Sequence, residues 1–187
     1  MGHPAWYGSS MHKVAARVLL AGVMGSIAAS CHQGTLAQSG DAARLPATTA
    51  DERAWIVAAA ADLEANPMGP KAAGERTHML FLLMQRSDIR VIACTNLVAD
   101  VPKGDKDNYP VLVQAMYSSA GYAVQHNGGD PASVDQMLAG VEGALRVYEK
   151  FLKVRPADRN ATLDAVVALR DRGKLREYVA SRPAVCK

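Results

Sequence analysis

The chain has 187 residues, 49% of them hydrophobic, and carries a formal charge of +3. That composition is ordinary for a globular protein. The small positive excess sits largely in the N-terminal leader, so the rest of the chain has no general nucleic-acid footprint.

His12, Lys13 and Arg17 form a positive start, and the uncharged apolar run from Val18 to Ala29 comes next. A bilayer core about 30 Å thick needs about 20 apolar residues, so this run is too short to span one. A basic start, a short apolar run and small residues after it predict a secretory signal peptide. A buried core helix is the bland alternative, disfavoured because glycine and serine interrupt the run and a Gln/Gly/Ser-rich stretch succeeds it. Met11 offers a second start, with the first ten residues an over-extended reading. Gly2 is no myristoylation signal, because Trp6 stands where that motif needs Ser or Thr.

Two cleavage chemistries compete. Thr35 and Ala37 occupy the small-residue positions of an ordinary signal-peptidase site that cuts before Gln38. Ala-Ala-Ser-Cys, ending at Cys31, resembles a lipobox, although Ala28 stands where leucine is usual. Ordinary cleavage is favoured; it makes residues 1–37 a signal peptide and predicts a periplasmic or secreted protein. Lipidation of Cys31 would instead anchor the protein to the membrane surface.

Cleavage after Ala37 leaves 150 residues with 19 basic and 18 acidic side chains, enough for one domain with a core. Two cysteines remain, Cys94 and Cys186, and in an exported protein such a pair reads first as a disulfide. Closing so long a loop would stabilise the fold by about 4–5 kcal/mol in the chain-entropy model. Two buried free thiols are the alternative; Cys94 as a nucleophile would leave Cys186 unexplained.

Residues 38–48 are small, polar and aperiodic, which predicts a flexible tether before a single helical domain over residues 49–187. Thr49 and Glu52 form a capping box that opens a helix through Ala65, and Asn66 to Pro70 stops it. A second helix is expected over Lys71 to Gln85; its Met79 to Met84 half is apolar all round and reads as buried. The Ile, Val and Thr of Ser87 to Val98 suit a strand, but no partner strand is visible, so this segment is read as helix. Ala99 to Pro110 is a charged loop. Asn108 then caps a helix with a face of Val111, Leu112, Ala115, Met116, Ser119, Tyr122 and Ala123, ended by Gly128 or Gly129. Asp130 as N-cap and Pro131 at the first position start a helix to about Val154, with an apolar stripe from Val134 to Leu152. Asn160 caps a shorter helix broken by Gly173, and Lys174 to Ser181 makes a last turn or two. The fold class is therefore all-α, a compact bundle of about six or seven helices.

The longest helix keeps Gly140 and Gly143, each costing about 1 kcal/mol relative to alanine. Ala139 with Gly143, and Gly140 with Ala144, are spaced four apart, which predicts close packing against another helix, the one from Tyr109 to Gln125.

Chemistry-bearing motifs are scarce. The sequence has no G-x-S-x-G, P-loop, H-E-x-x-H, C-x-x-C or dinucleotide fingerprint. His78 and His126 have no recurring metal spacing and read as structural, so no metal or cofactor is expected. Asp62, Glu64, Glu75 and Arg76 read as a solvated face, Lys103 to Asn108 as a loop tip, and Met79, Met84, Met116 and Met137 as core filler.

The leader, the Trp55 to Pro67 stretch with its Leu-Glu-Ala-Asn-Pro, Asp88 to Cys94, Gln136 to Glu149 and the Val-Cys-Lys end resemble a group of small exported bacterial proteins of uncharacterised function. The Ala139 to Ala144 helix is also similar, more distantly, to one in periplasmic immunity proteins of type VI secretion amidases, small helical disulfide-bearing inhibitors. Neither resemblance brings a catalytic residue. The expectation is an exported helical protein that binds an unknown protein or small ligand of the cell envelope. An immunity protein covering an enzyme's active site, or an envelope hydrolase using His78, His126 and dispersed carboxylates, are the alternatives.

Overall fold

The computed structural model describes residues 45–92, 98 and 109–182, and among these it is all-α, with no strand. Helix α1 spans Ala50–Ala65, α2 Ala72–Gln85, α3 Tyr109–Gln125 and α4 Val134–Val154. A 3-10 turn at Pro156–Asp158 leads to α5 (Ala161–Asp171) and α6 (Leu175–Ala180). No helix among the described residues is long and apolar enough to cross a membrane.

The antiparallel pair α3–α4 is the spine. One core lies on its α4 side, where Val111, Leu145, Val147 and Tyr148 meet Leu163, Val166, Leu175 and Val179 of the last two helices. The other lies under α1 and α2, where Ile56, Leu63, Met79 and Leu82 meet Val113, Tyr117 and Ala120. Serving both cores buries α3 on more than one face. The face read from the sequence therefore misses Val113, Gln114, Tyr117, Ser118 and Ala120, all buried.

The ends obey local chemistry. Thr49 and Glu52 form the reciprocal capping box, with Glu52 N–H donating to Thr49 Oγ1 at 3.2 Å and Thr49 N–H to Glu52 Oε2 at 2.9 Å. Asn160 Oδ1 accepts from Thr162 N at 2.9 Å and Leu163 N at 3.1 Å. Helix α4 starts three residues later than Pro131 implied. Asp130 accepts from Ala132 N–H in a tight turn, and Ser133 caps the helix through Gln136 N–H. The turn's own hydrogen bonds satisfy the donors that an earlier start would have left to the helix.

Two further expectations fail in part; of the Ser87 to Val98 segment read as helix, residues 93–97 lie outside the described residues. Ser87–Ile92 is neither helix nor strand. Its polar groups bond elsewhere: Ser87 N–H to Pro46 O at 3.1 Å, the Asp88 carboxylate to Thr48 N–H and Oγ1, and Arg90 O to the buried Gln136 amide at 2.8 Å. Those long-range partners replace the helical ladder, while Ile89 still reaches the core and Val98 is helical and buried. The second half of α2 is not buried all round either. Met79 and Leu82 face inward, but Phe81 is 55% and Met84 69% exposed, because α2 lies at the edge of the bundle with only one side covered.

Candidate functional site

The C-terminal turn of α1 and the second half of α4 face each other across an open cleft of about 320 Å³. Ala61, Glu64 and Ala65 form one wall; Arg146, Glu149, Lys150 and Lys153 form the other. On each helix these residues recur at three- and four-residue spacing, one stripe facing another.

The centre of the cleft is wired into the core. Arg146 Nε donates to Glu64 Oε2 at 2.7 Å, and Ser118 Oγ donates to Glu64 Oε1 at 2.6 Å. Behind Ser118, Gln114 is 1% exposed and donates its amide to Ser118 Oγ at 3.1 Å and to Ala60 O at 3.2 Å. The direction of these hydrogen bonds is set by their ends. Glu64 only accepts, so Ser118 must donate to it and take its own hydrogen bond from the Gln114 NH₂. The Glu64 side chain keeps only 18% exposure, so the solvated role read from the sequence does not hold for it.

Gly143 makes room for this wiring. A Cβ there would strike Ser118 Oγ and lie 2.5 Å from Glu64 Oε1. Gly140 meets a different obstacle: its Cβ would lie 2.6 Å from the backbone oxygen of Ala115 on α3. One glycine thus admits a neighbouring backbone and the other admits two polar side chains. Ala144, fully buried, belongs to the core, and Ala139 is half-buried beside Gly140.

The remaining charges divide into committed and uncommitted. Arg170 holds Glu149 through both oxygens at 2.6 and 3.0 Å, and those hydrogen bonds raise the arginine pKa further. Lys150 and Lys153 have no ion pair among the described residues. Helix α1 has no basic residue in its last turn, so the cations of α4 also face the negative end of its dipole. The arrangement can hold an anionic group by ion pairing.

The other candidates do not converge here. His78 is exposed and lies tilted at 41° against Trp55 with ring centroids 4.2 Å apart, while His126 stacks at 3.8 Å on Tyr122 and bonds Tyr122 O at 2.8 Å. Cys31, Cys94 and Cys186 lie outside the described residues, as does Lys103 to Asn108. Sequence reasoning missed Gln114, Ser118 and Glu64 as a connected set. The usable signal was Gln114 and Ser118, one turn apart and polar on an otherwise apolar helix. No protein-family model, curated protein or solved structure matches the chain.

Proposed function

We propose that this is an exported helical protein that acts by binding, and that the cleft between α1 and α4 is its binding surface. The observation that carries the reading is the Arg146 guanidinium, anchored through Glu64 and Ser118 to a buried glutamine at the mouth of an open cleft. A side chain anchored in this way loses little further entropy when it meets a partner. The leader supports export, and the Cys94–Cys186 bridge fits an exported chain.

The test has two parts. Intact mass of the envelope form should begin at Gln38 and be two hydrogens short; free thiols would remove the disulfide, and a diacylated Cys31 would move the protein to the membrane surface. Crosslinking in envelope extracts should then capture a species with the parent protein but not with the double charge reversal Lys150→Glu, Lys153→Glu. Equal capture by both would remove the cleft as the binding surface. If the captured species is an enzyme that the protein inhibits, the immunity-protein alternative becomes the specific form of this reading.

A further inference from the structure

We propose that the cleft binds a carboxylate, presented by an acidic peptide segment of a protein partner; this rests on the cleft being the binding surface. Three features of the cleft select that chemistry.

Its uncommitted charges are positive. Glu64 and Glu149 are each engaged by an arginine, whereas Lys150 and Lys153 are exposed and unpaired among the described residues. The surroundings reinforce them. From Arg146 to Arg182 the chain carries ten basic and five acidic residues, a net positive balance in the segment that contains the α4 wall.

The cleft also holds two carboxylates of its own, one in each wall. Each is held by its own arginine, so the charge left to meet a ligand is that of Lys150 and Lys153, which two singly charged carboxylates of one peptide match one to one. Arg146 keeps guanidinium nitrogens on the side away from its Nε–Glu64 bond, with only Glu142 at 3.8 Å from Nη1. A carboxylate can accept from those nitrogens and from the lysines together.

Size and shape point to a segment of polypeptide. At about 320 Å³ the space is small for an enclosed ligand, and it is open to solvent along its length. Ala61 and Ala65 leave the α1 wall low and apolar at its ends, which suits the stem of a side chain beside its charged tip.

The probe is an N-acetylated, C-amidated, dye-labelled Gly-Glu-Glu-Gly peptide, compared by fluorescence anisotropy with its Gln-Gln and phosphoserine-phosphoserine counterparts. The full mature protein should bind the glutamate peptide saturably, at least tenfold more tightly than the glutamine peptide, and the phosphoserine peptide no more tightly. Affinity should fall as salt is raised. The double variant Lys150→Gln, Lys153→Gln should weaken binding at least tenfold, with the melting temperature checked in parallel, while Lys174→Gln, at the start of α6, should leave it unchanged. Equal binding of glutamate and glutamine peptides, tighter binding of the phosphoserine peptide, no saturation by 10 mM peptide, or an unaffected double variant would each overturn the assignment. Lysine-dependent capture of an envelope partner without peptide binding would overturn the carboxylate alone and keep the cleft; peptide binding without such capture would keep the carboxylate and remove the cleft's proposed envelope role.

Discussion

Three glycines in helices have three different consequences. At Gly143 an added methyl would meet the Ser118 and Glu64 oxygens, and the side chains can turn away only by giving up their hydrogen bonds. At Gly140 the obstacle is the Ala115 carbonyl, fixed in the α3 ladder. At Gly74 nothing lies within 4 Å. Gly140→Ala and Gly143→Ala should therefore each destabilise the fold by about 1–3 kcal/mol through overpacking. Gly74→Ala should stabilise it by about 0.4–1 kcal/mol by restricting the unfolded chain. Urea denaturation of the three variants checks both signs. If Gly143→Ala unfolds like the parent, the Gln114–Ser118–Glu64 chain is not held as described. The glycine pair itself was legible from its spacing with Ala139 and Ala144. That one member faces a backbone and the other two side chains was not, because this depends on which α3 and α1 residues lie opposite.

Helix α1 shows how an element is held by chemistry outside itself. Glu52, already part of the capping box, also accepts from Arg86 Nε at 3.0 Å and from Arg86 Nη2, and those bonds hold its carboxyl at about 2, below the ordinary 4.5. Next to it, Arg53 reaches Asp88 at 3.2 Å and Val124 O at 2.9 Å. Burial pushes the Asp88 carboxyl up, but hydrogen bonds from Thr48 and the nearby Arg53 outweigh it and leave it below its ordinary value. Both carboxylates have folded pKa values beneath their unfolded ones. Their stabilisation is therefore complete above the unfolded values and fades as they protonate in the native state. For Glu52 that window runs from pH 4.5 down to about 2. The urea midpoint of the parent should fall across it, and that of Glu52→Gln, which can keep the capping box, should fall less. Parallel curves would mean that the Arg86 pairing adds no stability. The same ties fasten Pro46 and Thr48 to Ser87 and Asp88, within the stretch that composition alone assigns to a tether. They also explain why Ser87–Ile92 is not helical. Local apolar content cannot anticipate a partner about forty residues away.

For the whole molecule, burial is uneven. Helices α3 and α4 contribute to both cores or span the length of one, while α2 buries only Ala72, Met79 and Leu82 and exposes Phe81 and Met84. Amide hydrogen exchange should accordingly be slowest in α3 and α4 and faster in α2, since opening an edge helix exposes little apolar surface. Uniform protection across α2 and α4 would contradict this. Charge is uneven too: from Arg146 to Arg182 the chain carries ten basic and five acidic residues, and Arg146, Lys150 and Lys153 among them line the cleft. Local sequence was enough for the helical class, the caps at Thr49 and Asn160 and the break at Gly173, because these depend on residues within one turn of each other. It also marked the two glycines as a packing feature. Only the folded arrangement settles which faces are buried, that Ser87–Ile92 leaves the helix, and that Glu64, Ser118 and Gln114 form one chain behind Arg146. Those outcomes depend on partners tens of residues apart, and periodicity within a helix carries no information about what the fold sets against it.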